Sequence, residues 1–182
     1  MKRGALSLQA RAMVWLAQRE QSRSELRRKL MRVARAAAVA DKTGRAGDAE
    51  PNHDADRAVV DLAELAAEVE SVLDTLQTGD LLSEQRFVDS RLRARQPRFG
   101  ALRIQRELQQ HGLRLDDDQL QDLRSSEWRR ASELWQRRFA QTSPEPRERA
   151  RQARFLAGRG FSTEVVRRVV AGELAPVEEP AD

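Results

Sequence analysis

Between Arg86 and Leu113 the chain reads RFVDSRLRARQPRFGALRIQRELQQHGL, two runs of helical periodicity cut apart by Pro97 and Gly100. Proline lacks an amide hydrogen and glycine weakens a helix interior, so one long helix cannot pass through this point. Over about 101–111, Ala101, Ile104 and Leu108 fall on one face by i, i+3, i+7 spacing, and Arg103, Arg106 and Gln110 fall on the opposite one. In the run before it, Phe87, Val88 and Leu92 form the apolar side, while Arg86 and Arg93 point away. A pair of helices that buries one side and presents guanidinium groups on the other is therefore expected. The stretch, with Arg114 just beyond it, holds eight arginines against the two acids Asp89 and Glu107. Such an imbalance raises the local potential and attracts polyanions or acidic protein surfaces.

The rest of the chain must supply the core that such a pair needs. With aromatic residues at 4% and charged residues at 34% of 182 positions, one bulky core is not expected. Small helical layers, each burying a few Leu, Val, Ala and Trp side chains, fit better. There is no cysteine, and the only histidines are His53 and His111, so a disulfide framework or a structural zinc site lacks ligands. No cofactor is implied. No run of about 18 apolar residues is present, so no membrane span is expected. The opening MKRGALSLQARAMVW has no uninterrupted apolar core, unlike a secretory signal, which suggests a cytoplasmic protein. The net charge of +4 conceals a segregation, because residues 1–40 hold ten basic and two acidic side chains and residues 41–82 hold three and eleven.

Taken in order, Leu8, Ala12, Trp15 and Leu16 mark a first amphipathic helix ending near Arg19. Ser22 to Glu25 has the form of a capping box and predicts a second helix, with Leu26 and Leu30 inside and Arg23, Arg27 and Arg28 more exposed. From 34 to 55 periodicity dissolves into Ala, Gly, Asp, Asn and Pro, the pattern of a flexible insertion that buries too little apolar surface to offset its ordering entropy. His53 lies there beside Asp54 and Asp56, a poor basis for a metal site. Leu62, Leu65, Ala66, Val69, Val72, Leu73 and Leu76 then predict one long acidic helix, stopped by Gly79.

After the basic unit, Asp116, Asp117 and Asp118 suit the first turn of a short helix through Leu120 and Leu123. Trp128, Ala131, Trp135 and Phe139 share a face of the next helix and read as core. Ser143-Pro144-Glu145 signals another start, for a helix through Ala150, Ala153 and Leu156. Ser162 is expected to cap a last helix with Val165, Val166, Val169 and Val170, although those valines favour a strand intrinsically. A disordered tail is expected over 175–182.

An internal repeat emerges. Leu108 to Leu113 and Leu156 to Phe161 share an L-x-x-x-G-apolar ending 48 residues apart, each between two helices. Three tandem three-helix units follow, at 1–80 with the insertion, 81–124 and 125–174, resembling helix-turn-helix modules and stacked because each is too small to be stable alone. The fold class is thus all-α, an elongated array of three repeats.

The segments SRSELRRKL (22–30), LLSEQRFVDSRLRAR (81–95), FGALRIQREL (99–108) and GRGFSTEVVRRVV (158–170) resemble, in order, the motifs of the RecX family of bacterial recombinase regulators. The resemblance covers most of the chain and departs at about 33–60, where the family has a short turn. It implies a regulator that lodges in the groove of the RecA filament on single-stranded DNA and restrains its ATPase, strand exchange and recombination in DNA repair and the SOS response; a monomer that is not an enzyme is expected. The residues expected to meet filament or nucleic acid are Arg86, Arg93, Arg95, Arg98, Arg103 and Arg106, with Arg23, Arg27 and Arg28. The chain holds neither a nucleophile and base in a recognisable spacing nor a Gly-rich phosphate loop. The alternative expectation is a helix-turn-helix-like protein that binds DNA without a recombinase.

Overall fold

The computed structural model describes residues 6–45, 54–139 and 141–175, with side chains described outside 41–61. The described residues form nine helices and no strand: α1 (Leu8–Gln18), α2 (Arg23–Arg45), α3 (Asp54–Thr78), α4 (Glu84–Arg95), α5 (Ala101–Gln109), α6 (Asp117–Ser125), α7 (Glu127–Phe139), α8 (Pro146–Ala157) and α9 (Thr163–Val170). In chain order these are three tandem groups of three. They fall into two compact units, Met1–Phe87 and Val88–Asp182, with the boundary inside α4.

In the first unit α1, α2 and α3 pack on one another around Ala12, Leu26, Leu30, Ala34, Val69, Leu73, Leu76 and Leu82, all buried. Ala34 belongs to this core, which corrects the expectation of a loose segment from residue 34. An alanine-rich stretch carries high helix propensity, and α2 runs on to Arg45. The expectations for 46–53, including His53, and for 176–182 lie outside the described residues. Leu62, expected inside the long helix's stripe, is exposed, while Leu65 and Val72 are half-buried.

In the second unit α7, α8 and α9 close around Ala131, Trp135, Leu156, Phe161, Val165, Val166 and Val169. Trp135 is fully buried and its indole N–H donates to Gln152 Oε1 at 3.3 Å. Phe139 sits edge-on to Phe155, with centroids 5.2 Å apart. The valines of the last segment form a helix despite their β-propensity, because Val165, Val166 and Val169 project to one buried face. Tertiary burial here outweighs an intrinsic preference of roughly a few tenths of a kcal/mol per residue. From α4, α5 and α6 of the same unit come the buried Leu92, Ile104, Leu108 and Leu123.

Four of the described helices end in the same turn, in which one residue takes a left-handed conformation and the next amide reaches back five residues. At α5 the turn residue is Gly112 (φ 79°), with Leu113 N–H donating to Leu108 O at 3.0 Å; at α8 it is Gly160 (φ 79°), with Phe161 to Leu156 at 3.4 Å. These are the two repeated L-x-x-x-G-apolar endings. The α9 end uses Gly172, and the α3 end uses Asp80 (φ 53°), with Leu81 N–H to Leu76 O at 2.8 Å. The stop expected at Gly79 thus falls on the next residue. Aspartate tolerates this region better than most side chains, so the first copy of the turn is masked in sequence.

Local start signals hold with three corrections. Asp116 caps α6 as a full capping box with Gln119. Ser22 accepts from Glu25 N–H at 3.1 Å, but the Glu25 carboxylate turns to Arg19 and Lys29. The α8 helix begins at Pro146 rather than at Pro144, and Ser162 precedes α9 without a side-chain cap. Ala175, assigned to the tail, is buried, and its N–H donates to Ser132 Oγ at 3.1 Å.

Candidate functional site

The start of α5 is where the second unit is most tightly constrained. Gly100 N–H donates to Arg159 O at 3.0 Å, and Leu102 N–H donates to Gly160 O at 3.1 Å. Backbone meets backbone directly. A Cβ on Gly100 would lie 2.3 Å from Gly160 O and from Phe161 N, and one on Gly160 would lie 2.5 Å from Arg103 Cβ. Only glycine fits at both positions. Gly100 is also the N-cap residue of α5 and so offers no side-chain oxygen to its first amides. Glu127, buried on α7, fills that role: its Oε1 accepts from Ala101 N–H at 2.7 Å, and its charge favours the positive end of the helix.

One turn further along α7, Arg130 is buried and donates to three carbonyls, Gln96 O at 2.8 Å, Phe99 O at 2.8 Å and Leu123 O at 2.7 Å. Loss of water pulls its guanidinium below its ordinary value, an effect the neighbouring Glu127 opposes. Neither residue was marked by the sequence pattern, since a Glu and an Arg three apart at the start of a helix read as surface charge.

This scaffold sorts the arginines expected to bind. Arg95, Arg103 and Arg106 line one open groove of ≈ 500 Å³ with Glu107, Gln110, His111, Ala157, Gly158 and Gly160, between α5 and the α8–α9 turn. Within it Arg95 is held by Glu107 at 2.8 Å, which also pairs with Arg91 at 3.2 Å. Arg103 and Arg106 are exposed and have no acidic partner among the described residues. Arg103 lies over the Phe99 ring, 4.2 Å from its centroid, and donates to Gly158 O at 3.3 Å. Arg159 lies over Phe155 at 3.7 Å. Its guanidinium is held below its ordinary value by desolvation and by the like charges of Arg103 and Arg138.

The other expected residues are not in this groove. Arg86, its side chain partly exposed, bonds Glu20 at 2.9 Å and Asp80 at 2.9 Å and so ties turns of the first unit together. Arg93 is exposed on α4 and donates to Asp89 O at 3.3 Å, one turn back. Arg98 is exposed in the α4–α5 turn. Arg23 bonds Glu70 at 2.6 Å and Asp74 at 2.8 Å on α3, and Arg27 also bonds Glu70. Hydrogen bonds from Arg27 and Arg23 hold the Glu70 carboxyl below its ordinary value. Arg28 remains exposed, lining a second groove with Arg27, Met31, Arg32, Arg35, Leu62 and Ala66. Among the described residues no group of His, Cys, Asp or Glu could hold a metal ion, and no helix is long and apolar enough to cross a membrane.

Comparison with known proteins meets this geometry at its most constrained part. The family model for the RecX third three-helix domain matches residues 125–170, which contain α7, α8 and α9. The regulatory protein RecX of Leptothrix cholodnii is 44% identical over 170 residues, covering 92% of this chain and 90% of its own. The chain belongs to the RecX family. Regulatory protein RecX of Ralstonia nicotianae is 37% identical over 183 residues, covering 98% and 96%. That of Pseudomonas entomophila is 48% identical over 110 residues, covering 57% of this chain and 70% of its own. These relatives are named as regulatory proteins rather than enzymes. The RecX motifs quoted from the sequence coincide with α2, α4, α5 and the α8–α9 turn, and the last two are the segments that the glycine contact joins.

Proposed function

We propose that this protein regulates RecA by binding its filament on single-stranded DNA and restraining ATP hydrolysis and strand exchange in recombinational repair and the SOS response. RecX membership supports the partner. The observation that carries the surface is the groove of α5 and the α8–α9 turn, where Arg103 and Arg106 stand without acidic partners beside Arg159. Unneutralised arginines fixed on a rigid frame are suited to a polyanionic assembly, because no internal ion pair has to be broken on contact. Arg28, Arg93 and Arg98 are secondary members of the binding surface. Arg86, Arg23, Arg27 and Arg95 serve it indirectly, as ion pairs that hold helices in place. The protein acts in the cytoplasm as a monomer, without a cofactor.

The test is RecA-catalysed ATP hydrolysis on circular single-stranded DNA, titrated with the full chain and with Arg103→Ala/Arg106→Ala. Inhibition by the wild type and its weakening in a variant of unchanged helicity are expected. Equal inhibition by both proteins would remove the groove from the interface. A wild type that binds DNA but leaves hydrolysis untouched would favour the helix-turn-helix-like DNA binder.

A further inference from the structure

The α2–α3 pair is longer than the helix that packs on it. At 23 and 25 residues these helices run about 35 Å, against about 16 Å for the 11 residues of α1, so α1 cannot cover their whole length. The excess falls where the chain departs from the RecX pattern. An open groove of ≈ 530 Å³ runs between α2 and α3, and no residue of α1 lines it. Its floor is apolar, made by Met31, Ala66 and Leu62, the last of them 43% exposed. Along α2, Arg28, Arg32 and Arg35 follow i, i+4, i+7 spacing, all exposed and without an acidic partner among the described residues. Val39, 66% exposed, continues the same row one turn on. Towards the other end Arg27 is neutralised by Glu70. An apolar floor beside unneutralised guanidiniums is a surface that the fold itself does not complete.

We propose that this groove docks an acidic amphipathic helix of another protein, with its apolar stripe on Met31, Leu62 and Ala66 and its carboxylates on Arg28, Arg32 and Arg35. Two helices side by side offer ridges between which a third helix packs, and a helix laid in such a groove anchors itself by apolar residues one turn apart. Guanidiniums repeated at one-turn spacing meet glutamates repeated at the same spacing, each pair bidentate. The far wall decides against a nucleic-acid strand. α3 exposes Glu64 and Glu68, and a phosphate backbone carries charge along its whole length. An amphipathic helix keeps its acids on the side that meets α2 and turns a neutral flank to α3. The inference goes beyond the filament reading and does not rest on it, except that Arg28, placed there on the binding surface, takes a protein carboxylate as its partner.

The test uses the full chain and a fluorescein-labelled synthetic helix of about 18 residues, with leucines at helical spacing, glutamates along one flank and glutamines along the other. Anisotropy follows binding. Arg28→Gln/Arg32→Gln/Arg35→Gln should weaken it about tenfold, roughly twofold for each exposed ion pair lost. These side chains are exposed, so helicity and the urea midpoint should hold. Leu62→Gln should weaken binding by a similar factor through loss of the apolar anchor. Arg147→Gln/Arg149→Gln/Arg154→Gln, which removes the same charge from α8, should bind as the wild type does. Failure of the wild type to bind the peptide, or equal binding by the folded triple variant of α2, overturns the groove. So does equal affinity for a peptide of the same composition with its leucines scrambled, which marks bare attraction of charge. Loss of oligo-dT binding in the α2 variant, with the peptide still bound, overturns it in favour of a strand. A dimer in sedimentation that the same substitutions dissociate overturns it in favour of a second copy's acidic α3. RecA ATPase is measured beside these titrations: peptide binding with hydrolysis untouched refutes the regulator alone, and inhibition without peptide binding refutes the groove alone.

Discussion

Gly112 and Gly160 offer a matched pair for measuring the contact that fixes the groove. Both have φ 79° in the same helix-ending turn, and both precede an apolar residue. A Cβ at Gly112 meets nothing within 4 Å, whereas one at Gly160 would lie 2.5 Å from Arg103 Cβ and 2.6 Å from Arg103 N. Alanine at either site incurs the left-handed penalty, roughly 1–2 kcal/mol. At Gly160 the α5 start must also retreat by about 1 Å, since carbon atoms settle near 3.5–4.0 Å. That retreat stretches two backbone hydrogen bonds, at roughly 1 kcal/mol each. Residual overpacking adds about 1–3 kcal/mol. Gly112→Ala should therefore cost about 1–2 kcal/mol and Gly160→Ala about 4–7 kcal/mol, from those terms taken together. Urea unfolding followed by tryptophan fluorescence measures both, with Trp128 and Trp135 reporting on the second unit. Equal costs for the two variants would refute the reasoning, because they would show that α5 moves aside without loss.

Four further outcomes follow from the same contacts. Trp135→Ala should destabilise by about 3–5 kcal/mol in urea, as a fully buried ring does, and a stable variant that loses DNA binding would instead make the ring a contact surface. Arg130→Ala should cost about 3 kcal/mol by leaving three carbonyls short of a donor, and a loss under about 0.5 kcal/mol, the surface value, would show that water replaces it. Glu127→Gln retains an acceptor oxygen for Ala101 N–H, so it should unfold at a higher urea concentration than Glu127→Ala; the reverse order would deny Glu127 its capping role. The Glu70 carboxyl lies below its ordinary value of 4.5 because Arg27 and Arg23 bond its charged form. Its contribution is fully present above pH 4.5 and is lost as pH falls through the lower folded value, so Glu70→Gln should flatten the fall in stability below that pH, and parallel curves would show no such linkage.

Helical periodicity made the fold legible wherever apolar residues were spaced at three and four, as in Val69, Leu73 and Leu76 or Ile104 and Leu108. It failed at Ala34, because an alanine counts for little in a hydrophobic pattern yet fills a tight helix contact completely. It also hid the first copy of the repeated turn, where Asp80 does what glycine does at 112 and 160. The candidate surface was legible in composition but not in position. Arg86, Arg23 and Arg95 all sit in basic runs, yet each meets an acid from another segment, and such pairings between elements leave no trace in local spacing. Conversely Gly158 stands far from Arg103 in sequence, and its carbonyl accepts from that arginine only through the fold.

The frame and the charges of this surface depend on one another through a short chain of steric causes. Because α5 must begin against the α8–α9 turn, residues 100 and 160 must both be glycine. Because residue 100 is glycine, α5 has no cap of its own, and a carboxylate has to come from elsewhere. Glu127 supplies it from α7, and Arg130, three residues on, anchors the same helix to the carbonyls around Phe99. Phe99 in turn carries Arg103 on its ring. The acid that caps α5 is thus bonded to main chain and buried away from the guanidiniums, so the positive surface is positioned without being neutralised. An ion pair such as Arg86 with Glu20 and Asp80 positions its arginine just as firmly, but leaves it less available to an outside anion. Under the proposed function, the exposed arginines open to an outside anion are those held by an aromatic ring or carbonyl, as Arg103 is, rather than those held by carboxylates, as Arg86 is.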